Sequence, residues 1–227
     1  MQMQMQTGHH VLQLWRHYHK LYAHQLAPDY AQLTTPKALI HNKAYENGLF
    51  RKLHLEVARF PEQDLQVVHS VAYPRAIYDV PILAFDIVYR REVPVFGIVD
   101  ACPVTEDVTA KLPYHDELQT LQLHYGFHPT PRKDLPEWGR AIFSTLCVKT
   151  RDATELKTFE EYVFAVIALH MAYTTTLKPS ADYVRVRAGH ARFGENQRKN
   201  LVTRAILEKA TTREFAEKYM SEVMFDV

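Results

Sequence analysis

Between residues 50 and 101 the chain carries a succession of strand-length runs with almost nothing between them. They read FRKLHLEVARF (50–60), LQVVHSVAY (65–73), ILAFDIVY (82–89) and VPVFGIVDA (93–101). The β-branched and aromatic residues that fill them suit a pleated surface. The links are PEQD, PRAIYDVP and RRE. A parallel pair needs a crossover of a dozen residues or more, so links this short argue for an antiparallel meander. The run ILAFDIV is apolar on both of its faces, and a sheet built from such strands must be covered on both sides. Helical periodicity supplies the cover. Val11, Leu14, Trp15, Tyr18, Leu21 and Tyr22 recur at helix spacing over 10–26, with Pro28 as the stop. Further helices are expected at 115–126, 154–177, 198–210 and 212–225. Residues 128–139 read as a linker, and 141–150 fit strand or helix equally. The expected fold is α/β, a three-layer α/β/α sandwich around a central antiparallel sheet. Residues 1–227 are read as one domain, with about 1–8 as a frayed end.

Composition removes several classes of function. A chain of 227 residues can bury a full core. A net charge of +1 gives no pull toward nucleic acid or a membrane surface. Cys102 and Cys147 are too few for a disulfide framework or an iron–sulfur cluster, so a reducing cytoplasm is the expected compartment. No run approaches the ~20 apolar residues that span a bilayer. There is no G-x-G-x-x-G, P-loop, C-x-x-C or H-E-x-x-H motif. His17, His19 and His24 offer no pair at i,i+4, so no metal site is expected. If the protein does redox chemistry, it brings no recognisable cofactor of its own.

Two side chains break the apolar strand pattern. Alternate residues of a strand share a face. His69 therefore lies with Val67, Val71 and Tyr73, and Asp86 lies with Ile82, Ala84 and Val88. If the two strands pair as a hairpin those faces can coincide, although a slip of one residue would separate them. A carboxyl taken out of water holds its proton more tightly and can donate it near neutral pH. An imidazole beside it can share or relay that proton. The pair reads either as a proton source or as a buried hydrogen bond that braces the sheet. Glu56, beside Lys52 and His54 and opposite in facing to Leu55 and Val57, reads as an exposed-face acid. Asp79 and Asp100 read as turn residues.

These same residues carry a resemblance. F-R-K-L-H-L-E-V-A-R (50–59), V-V-H-S-V with Y-D-V-P-I-L-A-F-D-I-V, I-V-D-A-C-P (98–103), L-P-E-W-G (135–139) and the tail from Lys199 to Val227 are similar to the ferredoxin-dependent bilin reductases. The likeness runs from about residue 42 to the end. It is strongest to the phycocyanobilin:ferredoxin oxidoreductase branch and its phage-borne relatives. The resemblance implies an α/β/α sandwich, with bilin between the sheet and the C-terminal helices. It implies that biliverdin IXα is reduced to a phycobilin by single electrons from reduced ferredoxin, through bilin radicals, with no bound cofactor or metal. On this reading Asp86 protonates the bilin, His69 relays the proton, and Glu56 donates near a vinyl group. Arg132 or Lys133 binds a propionate, and Asn200 lines the pocket.

One departure from the family pattern bears on the product. Many members carry an Asp after the Asn of the C-terminal K-N motif, and here that position is Leu201, followed by Val202 in place of a common Lys. Protons are then expected from the sheet side, and the likeness to the phage-borne relatives implies phycoerythrobilin over phycocyanobilin. Arg185, Arg187, Arg192, Arg198, Lys199 and Arg204 would form the basic face for acidic ferredoxin. The protein is expected to act as a monomer without nucleic-acid or membrane partners. The competing reading is a bilin carrier without catalysis, which would have no use for a buried proton source.

Overall fold

The structure, a computed structural model, describes residues 2–180 and 182–226. Eight strands form one antiparallel sheet: β1 (Tyr22–Ala23), β2 (Gln32–Thr34), β3 (Leu39–Glu46), β4 (Phe50–Phe60), β5 (Leu65–Pro74), β6 (Ile82–Arg90), β7 (Val93–Cys102) and β8 (Val148–Thr150). The order across it is β1-β3-β4-β5-β6-β7-β8, with β2 also paired to β3. The expected runs are β4 to β7, and they pair in sequence order as a meander. Arg91 and Glu92 close the β6–β7 hairpin with φ of 47° and 65°. Two left-handed residues in a two-residue loop match the twist of the flanking strands.

Helices cover both faces. On one side, α1 (Gln2–Tyr18), α3 (His115–Tyr125) and α5 (Leu156–Thr174) bury Val11, Trp15, Leu118, Phe159 and Val163 against Leu53, Leu55, Val68 and Phe85. On the other side lie α6 (Tyr183–Gln197), α7 (Leu201–Ala210), α8 (Arg213–Tyr219) and a π-type turn over Met220–Met224. They bury Val186, Phe193, Leu207 and Tyr219 against Ala58, Val71, Tyr73 and Ala84. The result is the α/β/α sandwich expected from the two-sided apolar strands. Among the described residues, no helix is long and apolar enough to cross a membrane.

The differences from expectation have local causes. Residues 2–8, expected to fray, are helical. α1 begins at Gln2, and Gln4 and Thr7 are buried under it. Its polar composition hid a face that packs on the sheet. The helix ends at Tyr18, well short of Pro28, because Tyr22–Ala23 is drawn into pairing with Tyr45–Glu46 of β3. Pro28 instead opens the short α2 (Pro28–Ala31), where its missing N–H costs nothing. β3 was not anticipated. It alternates Ile40, Asn42 and Ala44 inward with His41 and Lys43 outward, and the inward Asn masks the pattern. α6 was hidden by its arginines, although Val186, Gly189, His190, Phe193 and Gln197 fall on one buried face. Within 128–150 the chain forms a 3-10 turn at Arg132–Asp134, α4 (Glu137–Arg140) and then β8.

Candidate active site

Register builds the site. Asn42 faces Glu56 across β3–β4, Glu56 faces His69 across β4–β5, and His69 faces Asp86 across β5–β6. Directly opposed residues share a sheet face. Four polar side chains therefore form a lateral row through the middle of the sheet. The row continues to Ile98 of β7 and Lys149 of β8. Its neighbours along the strands, Ala58, Val71 and Ala84, belong to the core under α6 to α8. The row thus lies between the sheet and the C-terminal helices.

His69 Nδ1 lies 2.7 Å from Asp86 Oδ1. The expected pairing of these two groups is met, with both on one face. Their burial differs: the His69 side chain is 4% exposed and that of Asp86 is 35% exposed. Asp86 sits where the row opens, not in a sealed pocket. The sealed acid is Glu56, which corrects the exposed-face reading. The face was assigned correctly, but Tyr219 of α8 covers it and donates to Glu56 Oε2. Desolvation raises the Glu56 pKa, although the His69 charge and the Tyr219 hydrogen bond pull the other way. For His69, burial disfavours the imidazolium. The charge and hydrogen bond of Asp86, with Glu56 behind them, outweigh burial and raise its pKa. The His69 ring is flanked edge-on by Phe225 at 5.7 Å and by His54 at 5.8 Å. Its Nε2 has no partner among the described residues.

The tail straps this face shut at the β4 side. Lys52, 1% exposed, donates to Val223 O at 2.8 Å and pairs with the Asp226 carboxylate, which Arg51 also holds. Tyr73 donates to Met224 O and Arg198 to Phe225 O. Burial, reinforced by the Arg51 charge, presses the Lys52 amine down to about 7, while the Asp226 carboxylate opposes that pull.

The remaining expected residues lie elsewhere. Arg132 turns inward to the carbonyls of Phe143 and Arg140, and Lys133 is exposed beside it. Lys149, at the β8 end of the row, reaches Asp134 O of the same 3-10 turn. That turn therefore stands beyond the open, Asp86 side. Asn200 caps α7 by accepting from Val202 N and Thr203 N; its contacts are with its own helix rather than with the row. Leu201 and Val202 are each 70% exposed. Asp100 is no turn residue. It lies buried in β7 and accepts from Ser144 N and Oγ, and burial raises its carboxyl to about 6. Among the basic residues, Arg185 pairs with Asp79 and Asp182. Arg192 and Arg204 donate to backbone carbonyls. Arg187 and Lys199 stay exposed.

Sequence reasoning missed Asn42, Lys52, His54 and Tyr219 as members of this site. Each sits in a pattern that reads as a solvated face when the covering helix is unknown. Among the described residues, no three His, Cys, Asp or Glu side chains are grouped to hold a metal ion.

A three-layer sandwich here lines up an imidazole and two carboxyl groups in one row under a covering helical layer, an arrangement able to hold and share a proton. The sequence places it further. The profile of the ferredoxin-dependent bilin reductases matches residues 9–226, and the chain belongs to that family of oxidoreductases. The match begins well before residue 42, where recognisable motifs start. The phycocyanobilin:ferredoxin oxidoreductase of Trichodesmium erythraeum (strain IMS101) is 32% identical over 231 residues, 97% of this chain and 91% of that one. The enzyme of the same name from Gloeobacter violaceus (strain ATCC 29082 / PCC 7421) is 32% identical over 222 residues, 94% of this chain and 85% of its own. The fold is shared with tomato phytochromobilin synthase solved in complex with biliverdin, with a TM-score of 0.74 at 16% identity over 96% of this chain and 80% of that one. It is also shared with a PcyX structure, with a TM-score of 0.63 at 14% identity over 97% of each chain.

Proposed function

We propose that this chain reduces biliverdin IXα to a phycobilin. Electrons arrive singly from reduced ferredoxin and pass through bilin radicals, and the protons come from the sheet row. Each two-electron reduction takes two electrons from the carrier and two protons from the protein. The observation that carries this reading is the lateral row Glu56–His69–Asp86 under the C-terminal layer. Asp86, at the open end, touches the substrate and hands over the proton. His69 recharges it through the 2.7 Å hydrogen bond, and Glu56 serves a second position from deeper in the row. Lys133, exposed on the turn beyond Asp86, takes a propionate, while Arg132 braces that turn. Asn200 acts by starting α7 over the site.

Phycoerythrobilin is the proposed product, on the likeness of the sequence motifs to those of the phage-borne relatives. Phycocyanobilin is the second reading, favoured by the names of the relatives at 32% identity. The test mixes the protein with biliverdin, reduced ferredoxin and a reducing system without oxygen. A transient radical band followed by a shifted product spectrum is expected, and a static spectrum overturns the reading in favour of a carrier. Chromatography of the product separates 15,16-methine reduction from exovinyl reduction.

A further inference from the structure

Glu56 is reached by a chain of hydrogen bonds whose direction is fixed at its far end. The Tyr30 carbonyl can only accept. Asn42 Nδ2 lies 2.6 Å from it, so the amide nitrogen faces Tyr30 and the amide oxygen faces His54. That oxygen is 2.8 Å from His54 Nε2, which must therefore donate. His54 Nδ1 has no partner among the described residues, as expected of the unprotonated nitrogen of a neutral ring. The same Asn42 nitrogen lies 2.7 Å from Tyr219 Oη and donates to it. The phenol has one proton. It sits closer to Glu56 Oε2 than to Asn42 Oδ1, 3.0 Å away. The polarity thus runs His54 to Asn42 and, from the Asn42 amide, to Tyr219 and Glu56.

The consequence falls on the carboxyl. Oε2 already accepts from Tyr219, so a proton on Glu56 resides on Oε1. We propose that Tyr219 and Asn42 are positioning residues that fix which oxygen of Glu56 carries the transferable proton, so that seating of α8 on the sheet sets the readiness of that acid. The inference deepens the bilin-reductase reading and rests on it for its consequence in turnover. Tyr219 is suited to the task because it belongs to the covering layer. It packs on Phe215 and Tyr30, so movement of the C-terminal helices moves the donor.

The charged and titratable groups facing Glu56 are few. His54 and Lys52 come from β4, His69 from β5, Asp86 from β6, Tyr30 from α2 and Tyr219 from α8. Of these, Tyr219 alone bonds the carboxyl directly among the described residues. Donation by a phenol favours the carboxylate, so removing it should make Glu56 hold its proton more tightly.

The experiment reads Glu56 without substrate. An infrared titration of the carboxyl C=O band is run on the full chain, with the band assigned by its loss in Glu56→Gln. In Tyr219→Phe the midpoint should move up by about one pH unit, a roughly tenfold gain in proton affinity. Replacing Tyr219 with a fluorinated tyrosine keeps the shape and strengthens the donor, and should move the midpoint down. If Tyr219→Phe fails to fold, the fluorinated protein decides alone. An unmoved midpoint overturns the proposal. Under anaerobic turnover with biliverdin, the pH profile of Tyr219→Phe should shift in the same direction as its midpoint, and an unshifted profile removes Tyr219 from the reaction. Failure of the wild-type protein to turn over bilin would instead overturn the functional reading and leave the titration result standing.

Discussion

At the scale of single residues, the odd polar side chains of β5 and β6 were the legible part of the site. Parity along each strand put His69 and Asp86 on apolar faces, but parity says nothing about register. The direct opposition of His69 and Asp86 is a tertiary fact, as is the cover that seals Glu56. Replacing Asp86 with Asn keeps the shape and removes the proton that the proposed mechanism transfers. Bilin binding, followed by visible titration, should survive, while turnover should fall by about 10²- to 10⁴-fold, the usual contribution of a positioned general acid. Normal turnover would remove Asp86 from the mechanism. His69 gives a stability prediction of definite sign. Its folded pKa lies above the ordinary 6.5. Its stabilisation is therefore complete below that value and is lost as pH rises through the raised folded pKa. Urea midpoints of the wild type should decline relative to His69→Gln across that window. A constant difference would show that the imidazole is not charged in the folded protein.

At the scale of elements, the β4–β7 meander and α5 could be read because their apolar periodicity is strong and their links are short. Elements whose buried face is polar or small escaped: β3 with its inward Asn42, and α6 with Gly189 and His190 on its buried side. α6 approaches the segment after β7 so closely that a Cβ at Gly189 would lie 2.1 Å from Val104 O. A backbone oxygen cannot give way as a side chain can. Gly189→Ala should therefore destabilise the protein by about 1–3 kcal/mol, the usual cost of overpacking. Chemical denaturation measures this directly, and an unchanged midpoint would mean that α6 can slide along the sheet.

At the scale of the whole molecule, charge is nearly balanced and the C-terminal basic cluster is largely spent on internal partners. Arg187 and Lys199 remain exposed on the layer that covers the row. If that face receives an acidic electron carrier, raising salt from low to about physiological ionic strength should slow electron delivery several-fold and leave bilin affinity unchanged. Rates indifferent to salt would place docking elsewhere. The sequence by itself determined the layered architecture, because runs apolar on both faces admit no other cover and short links admit no other strand direction. It also determined which sides of β4, β5 and β6 Glu56, His69 and Asp86 would take, since side chains alternate. Only the tertiary structure decided which of those groups meet. Register between strands and the seating of α8 depend on contacts between residues far apart in the chain, as between Glu56 and Tyr219, and no local pattern encodes them.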